Sequence, residues 1–261
     1  EAEPLWMKGL IVALILNHKL LTAAPSEGST PADIQVFGKV LRDLQRRAVC
    51  LGTRWLSSHF VFASSIDGAL TRAEKFAARG SQLSFDMLGE GARCAGDAQR
   101  HYRHYEQMMG ALASAESGSG KGLESGVDVL GASVSIKLSA LHPRYEAAQR
   151  QRVMAELVPR VLKLAQEAKS SGLSLTIDAE ESWRLSLSLD VFAAVYYHPT
   201  LAGWTGFGLA LQAYQKCALA VLEWLRELAV TQGRSIPLRL VKGAYWDSEI
   251  KLAQQGGYEA Y

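Results

Sequence analysis

Short apolar runs that favour β structure alternate with helical stretches from about residue 67 to the end of the chain. The runs are apolar on both faces, as expected of strands buried in a parallel sheet. Between them, apolar positions recur at helical spacing, most clearly over 150–169, and Gly172 then ends that helix. Such alternation is typical of βαβ units. The five predicted strands are SQLSFDM, ASVSIKLSA, LSLTID, GFGLALQ and PLRLVKGA.

Each predicted strand carries one polar residue close to the point where its apolar run stops. In a (β/α)8 barrel, such residues converge on the face that holds the active site. A doubly wound sheet instead gathers its ligands at one switch point, usually beside a glycine-rich loop, and no GxGxxG follows any strand here. The sequence therefore predicts an α/β fold of the (β/α)8, TIM-type barrel class. The five polar residues are Asp86, Lys137, Asp178, Gln212 and Arg239.

The number of strands is too small for a complete barrel. A barrel of about 250 residues has about 31 residues in each βα unit, so residues 81–261 hold about five units. We therefore expect the first five or so units over 66–261, preceded by a helical N-terminal region over 1–65. The remaining barrel strands are expected to be required for function. Because the chain begins with Glu1 and not Met, we expect it to be a piece of a longer protein.

Composition and charge narrow the class of protein. The chain has 28 Lys and Arg against 26 Asp and Glu, and the net charge of +2 gives no field that favours nucleic acid as a partner. Three cysteines without a CxxC pair exclude a disulfide scaffold and suit a reducing compartment, so we expect a cytoplasmic protein. The apolar stretch 10–16 is shorter than the about 20 residues that a membrane span needs.

Lys137 and three acidic residues after the third strand are candidates for chemistry. Lys137 lies inside an apolar run, where a lysine is costly unless it is paired or faces a wet cavity. It could anchor a carboxylate, act as a Schiff-base amine, or be an edge lysine that reaches solvent. Asp178, Glu180 and Glu181 could form a metal or acid/base cluster, or mark the start of a helix. We assign Asp178 to function and the two glutamates to structure.

The stretch LRLVKGAYWDSEIK, 238–251, combines cations, small residues and aromatic rings. Its cations flank a strand end, its small residues permit a ligand to approach the backbone, and its aromatic side chains offer flat surfaces. Such a set suits an anionic, planar cofactor, and the alternative is a tight turn with structural aromatics. Gln212 could hydrogen-bond a ring heteroatom. The residues of this stretch that suit such a cofactor are Arg239, Lys242, Gly243, Ala244, Tyr245 and Trp246.

Two other patterns match known kinds of site only in part. His101, His104 and Glu106 have a helical spacing that could serve a metal, but a solvated helix face explains them better, so we predict no metal site. The segment GSGKG, 118–122, lacks the upstream glycine and the Ser or Thr of a phosphate-binding loop. We interpret it as a linker.

Five longer motifs together resemble one known family. They stand in the same order as in the proline dehydrogenase domain of the bifunctional proline utilization A (PutA) flavoenzymes, and the similarity is dense from about residue 60 to the end. The residues before it resemble the helical segment that precedes that barrel more loosely. The motifs are SFDMLGEGAR (84–93), SIKLSALHPRY (135–145), IDAEESWRLSLSLD (177–190), WTGFGLALQAYQK (204–216) and LRLVKGAYWDSEIK (238–251).

The resemblance implies a (β/α)8 barrel that binds FAD and oxidises L-proline to 1-pyrroline-5-carboxylate. A hydride would pass from a ring carbon of proline to flavin N5, as the first step of proline catabolism to glutamate. Electrons would then go to a membrane quinone, with peripheral association at the inner membrane in the reduced state. A C-terminal aldehyde dehydrogenase domain, absent from this chain, would process the product. No nucleic-acid contact is expected from this segment.

The resemblance also implies roles for individual residues. Lys137 would bind the proline carboxylate, and Tyr245 would contact the substrate. Asp178 and Arg239 would be catalytic, with Arg239 beside flavin N5. Glu90 corresponds to a carboxylate that pairs with a gating arginine over the pocket. The residues expected to contact FAD are Asp178, Ala179, Gln212, Arg239, Val241, Lys242, Gly243, Ala244, Tyr245 and Trp246.

Two positions depart from the family pattern. Cys217 follows Lys216 where arginine is usual, and Trp183 replaces a small acidic residue, so we expect altered packing at both. The last strands of the family supply an arginine pair for the substrate carboxylate, so this polypeptide alone is expected to be inactive. The alternatives are a Schiff-base lyase on the same barrel, using Lys137 or Lys242, and an inactive scaffold fragment whose strand-end polar groups bind a partner.

Overall fold

A computed structural model describes residues 60–89, 91–118 and 132–258, together with scattered positions between residues 39 and 57. The chain divides into two compact units, Glu1–Arg72 and Ala73–Tyr261. The described positions from 39 to 57 are helical, while most of the predicted N-terminal helical region lies outside the described residues. The boundary at residue 65 therefore stays a prediction.

Within the described residues, five parallel strands form one sheet whose order follows the chain. Each of these strands lies beside the previous one, so the strand order does not reverse in this part of the chain. That order is the one a barrel needs and excludes a doubly wound sheet, which confirms the predicted class. The strands are β1 Ser84–Asp86, β2 Ser133–Ile136, β3 Ser174–Ile177, β4 Phe207–Gln212 and β5 Leu238–Val241.

In the part of the chain that the structure describes, helices follow the strands, and a left-handed glycine lies just past the end of three of them. They are α1 Ile66–Ala77, α2 Ala95–Gly118, α3 Leu138–Leu141, α4 Arg150–Ser170, α5 Leu185–Tyr196, α6 Ala218–Gln232 and α7 Trp246–Gly256, with 3₁₀ turns at Ala147–Gln149, Ser182–Arg184 and Pro199–Leu201. Gly172 follows α4 at φ +71°, Gly233 follows α6 at φ +60° and Gly257 follows α7 at φ +69°. This left-handed conformation is one that other residues adopt only with strain. Within the described residues, no helix has the length and apolar character that crossing a bilayer requires.

The two faces of the strands differ, which corrects the expectation that both are apolar. The pairing register places Ser135, Thr176 and Gly208 on one face. Because side chains alternate along a strand, the bulky apolar residues lie on the other face. That face packs on the helices, as the ring of Phe207 shows by stacking on Phe192 of α5 at 4.9 Å between centroids. The inner face therefore carries small and polar side chains.

The prediction of the second strand is wrong in the latter half of its range. β2 ends at Ile136, and the residues 138–141 form the short helix α3. Lys137 is consequently not inside a strand but at the junction between strand and helix, in an extended conformation with φ −100° and ψ 125°. Edge strand β5 also departs from expectation, because Leu238 and Leu240 are 38% and 58% exposed.

A buried arginine organises the loops that lead into β4 and β5. Arg234 is 8% exposed, and its guanidinium lies 3.7 Å from the centroid of the Tyr196 ring. It donates to the backbone carbonyls of Tyr196, Leu201 and Trp204. A buried cation is stable only with such partners, so Arg234 holds three chain segments together.

Candidate functional site

Four charged side chains form a continuous row across the strand ends. Lys137 donates to both carboxylate oxygens of Asp86 at 3.1 Å and lies 3.2 Å from Oδ2 of Asp178. Arg239 donates to the other oxygen of Asp178, Oδ1, at 2.8 Å. The row therefore alternates in sign and connects β1, β2, β3 and β5.

Strand register explains why these residues meet. Asp86 is the last residue of β1, and Lys137 and Asp178 directly follow β2 and β3. Continuing the register of Ser135 with Thr176 by two residues puts Lys137 opposite Asp178 on the inner face. Arg239 is the second residue of β5 rather than a residue at its carboxyl end, and its long side chain reaches Asp178 from there.

The centre of the row is only partly open to solvent, and the carboxylates beside Lys137 keep it charged. The side chains of Lys137 and Asp178 are 20% and 19% exposed. Burial acts against the Lys137 ammonium, but the nearby carboxylates of Asp86 and Asp178 outweigh it and raise the pKa of Lys137 above its ordinary value. Lys137 is therefore a fixed cation at neutral pH.

Gln212 brings a buried amide to the same end of the sheet. It is 2% exposed, and its Nε2 donates to the carbonyl of Glu180 at 2.8 Å. Its Oε1 is buried and has no hydrogen-bond partner among the described residues. A buried acceptor without a partner is costly, so this atom is available to a donor from a ligand.

The glutamates after β3 have structural partners. Glu180 accepts from the backbone N–H of Ser139 at 3.0 Å, in the first turn of α3, and from Arg184 at 2.9 Å. Glu181 lies 3.2 Å from the same arginine. These contacts match the assignment of both glutamates to structure.

The turn after β5 is closely packed against neighbouring side chains. Gly243 has φ +117°, and a Cβ there would lie 2.1 Å from the Tyr214 ring and 3.0 Å from Oε1 of Gln212. Glycine is thus required by the backbone conformation and by Tyr214, not only by ligand approach as the sequence suggested. Glu249 of α7 fixes this arrangement by accepting from the Tyr214 hydroxyl and from the Ser182 N–H, both at 2.6 Å.

The other predicted site residues are less constrained. Tyr245 is half-buried, and burial raises the pKa of its hydroxyl. Val241 ends β5, and Ala179 donates its backbone N–H to Asp178 at 3.2 Å. Glu90, the expected gate, lies outside the described residues. The exposed members of the set are Lys242, Ala244 and Trp246.

The sequence patterns do not predict two contacts that Lys137 makes. Tyr105 of α2 accepts the backbone N–H of Lys137 at 3.1 Å, and nothing in the local sequence marks that tyrosine. The second contact is that of Asp86 with Lys137, since the sequence marks Asp86 as a strand-end residue but indicates no role for it. On α2, where the sequence pattern favours a solvated helix face over a metal site, Glu106 pairs with Lys163 at 3.4 Å. The departures Trp183 and Cys217 are both exposed.

Comparisons with known proteins identify the family of the chain. The family model described as proline dehydrogenase matches residues 69–261. The bifunctional protein PutA of Escherichia coli K12 is 40% identical over the whole chain, and that of Rhizobium meliloti is 45% identical over 98% of it. The chain spans only 19% and 20% of the length of these two relatives.

Comparison with a solved structure supports the barrel fold. A variant of Bradyrhizobium japonicum proline utilization A is 43% identical, with a TM-score of 0.68 over 95% of this chain and 25% of its own. The five parallel strands and their helices are therefore part of a TIM-type barrel. Because the family match covers most of the residues and the relatives match nearly all of them, the chain belongs to the proline dehydrogenase family.

Proposed function

We propose that the full-length protein containing this chain oxidises L-proline to 1-pyrroline-5-carboxylate, the first step of proline catabolism to glutamate. The observation that carries the proposal is the row of Asp86, Lys137, Asp178 and Arg239 at one end of the barrel strands, with Gln212 beside it. The proposal includes the remaining barrel strands, a C-terminal aldehyde dehydrogenase domain and a membrane quinone as the final electron acceptor.

Lys137 is suited to bind the carboxylate of proline. Its ammonium is partly buried and stays charged, and a cation in a water-poor pocket binds a carboxylate more strongly than a solvated one does. Asp86 and Asp178 hold the ammonium between them, so the substrate carboxylate would meet a cation whose position is already fixed.

The residues present fit FAD as the cofactor. Oε1 of Gln212 is a buried acceptor without a partner among the described residues, and an isoalloxazine ring offers one N–H donor and several acceptors. Arg239, near the start of β5, and Lys242, directly after its last residue, add two cations to this strand, which suits an anionic cofactor. Gln212, Arg239 and the turn 241–246 would hold the group, which when bound accepts a hydride at N5.

The roles of the side chains follow from their charge. As proline loses a hydride from a ring carbon and a proton from its nitrogen, a C=N bond forms and two electrons leave the ring. With FAD bound, Arg239 would supply the positive charge that stabilises the negative charge accumulating on the cofactor. Asp178 holds Arg239 and Lys137 through its two oxygens, so the cation for the cofactor and the cation for the carboxylate keep a fixed separation.

The Schiff-base alternative is less well supported. An amine nucleophile must be neutral, which requires a lowered pKa, whereas the carboxylates around Lys137 raise its pKa. Lys242, the other candidate, is exposed. The charge environment therefore favours Lys137 as a binding group.

The test is an absorbance spectrum of the full-length protein, followed by anaerobic addition of L-proline. We expect flavin bands that bleach on addition of proline. Protein without flavin bands that is labelled by borohydride in the presence of substrate would instead identify a lyase. Flavin that proline does not reduce would exclude the proposed reaction.

A further inference from the structure

The backbone of Lys137 is held by a side chain from another helix. The N–H of Lys137 donates to the hydroxyl of Tyr105 at 3.1 Å, across 32 positions in the chain. Tyr105 is 1% exposed, and burial raises the pKa of its hydroxyl to about 12, so the phenol is neutral under ordinary conditions.

The Lys137 N–H needs this partner because the strand ladder has already ended. β1 stops at Asp86, which pairs with Ser135, two residues before Lys137. On the other side of β2, the last ladder bond runs from the N–H of Asp178 to the carbonyl of Ile136 at 2.9 Å. The Lys137 carbonyl in turn accepts from Ala140 at 3.1 Å in α3. Tyr105 therefore completes the fixation of the junction between strand and helix.

Tyr105 is itself held firmly by its helix. Apolar residues of α2 are buried at helical spacing, so the face that carries the tyrosine is anchored in the core. These residues are Ala98, Tyr102, Tyr105, Met108, Met109 and Leu112. A hydrogen bond donated to such a side chain fixes the Lys137 backbone against the core rather than against a mobile loop.

We propose that Tyr105 is a positioning residue that fixes where the Lys137 ammonium meets the carboxylate of the substrate. The inference rests on the proposed function, because it takes Lys137 as the carboxylate-binding cation. Lys137 lies 3.1 and 3.2 Å from its two carboxylate partners, and a small rotation of its backbone would move the ammonium away from one of them. Tyr105 acts through Lys137 and does not itself touch the substrate.

The test is Tyr105→Phe in the full-length protein, which keeps the ring and removes the hydroxyl. The matched control is Tyr102→Phe, one turn earlier on α2, where the buried ring lies under the Lys163 ammonium instead. We expect Tyr105→Phe to raise the KM for L-proline by about fivefold and to weaken inhibition by acetate equally, because a buried donor loses its partner. The value of kcat should change by less than about twofold, and Tyr102→Phe should leave the KM unchanged.

Two further measurements separate this inference from the proposed function. In a Lys137→Met background, Tyr105→Phe should have no further effect on KM, as expected for residues that act through one group. If Lys137→Met leaves KM unchanged, the proposed role of Lys137 is wrong. If Lys137→Met raises KM but Tyr105→Phe does not, only the positioning role of Tyr105 is wrong.

Hydrogen exchange tests the contact without any measurement of activity. In the unmodified protein, the Lys137 amide should be protected, and Tyr105→Phe should increase exchange in the peptide that spans 133–141. A Lys137 amide that exchanges as fast as an exposed one overturns the inference, and this result can be obtained even where the variant does not fold.

Discussion

Arg239 donates to Oδ1 of Asp178 at 2.8 Å across 61 positions of sequence. The other oxygen of the same carboxylate lies 3.2 Å from the ammonium of Lys137. One anion thus sets the separation of two cations that we assign to different parts of the reaction, the cofactor and the substrate carboxylate. Changing any of the three should affect the position of the other two.

Arg239→Met removes the positive charge and keeps most of the side-chain length. Because Arg239 is assigned to stabilise negative charge that develops during hydride transfer, we expect flavin reduction by L-proline to slow by about a hundredfold. Anaerobic rapid mixing of the full-length protein measures this rate. His101→Ala, a change of a residue on α2 outside the row, should alter it by less than about twofold. Equal small effects of the two changes would contradict the site assignment.

Gly243→Ala tests the turn after β5. The new Cβ would collide with Tyr214, and the backbone has φ +117°, so we expect a loss of about 1–3 kcal/mol in stability, with reduced flavin content. Gly110→Ala is the control, because Gly110 lies exposed within α2. Beyond the neighbouring backbone of that helix, the added Cβ would meet no atom of the described residues within 4 Å. That change should stabilise the helix by about 0.5–1 kcal/mol. Thermal unfolding of both variants measures the difference in stability. Equal unfolding midpoints would show that the backbone at Gly243 is not constrained.

Arg234→Met tests the buried cation that joins the loops before β4 and β5. The change removes the guanidinium as donor to the carbonyls of Tyr196, Leu201 and Trp204, of which Leu201 still accepts from the Trp204 N–H. We expect the free energy of unfolding to fall by about 3 kcal/mol or more. Arg226→Met, on the exposed face of α6, should change stability by less than about 0.5 kcal/mol. Denaturant or thermal unfolding compares the two, and a small effect at Arg234 would mean that water replaces the guanidinium.

The raised pKa of Lys137 predicts how carboxylate binding depends on pH. The pKa of Lys137 in the folded protein is higher than the ordinary value of 10.5. The charged lysine therefore stabilises the folded protein fully below pH 10.5, and this stabilisation is lost only as the pH rises through the higher folded pKa. Inhibition by acetate should therefore show no loss attributable to Lys137 between about pH 7 and about pH 10. A loss within that range that shifts upward in Lys137→Arg would show that Lys137 titrates there.

Local patterns were sufficient to predict the elements and their order. Period-3.6 apolar positions predicted α4, and Gly172 predicted its end, because helix amphipathicity and left-handed glycine are properties of a few neighbouring residues. The same reasoning failed at 137–141, where an apolar stretch is compatible with either strand or helix and only the surrounding packing selects the helix. It also failed on the strand faces, since hydropathy alone does not tell small inward residues from bulky outward ones.

The sequence by itself determined the barrel class, the family and the polar residues that end the strands, because each depends on local pattern or on motifs several residues long. The tertiary structure alone decided which of those residues touch. The contacts of Arg239 with Asp178, Gln212 with Glu180 and Tyr105 with Lys137 join residues 61, 32 and 32 positions apart. Such contacts depend on strand register and helix placement, and these are set by the packing of the whole sheet rather than by any single segment.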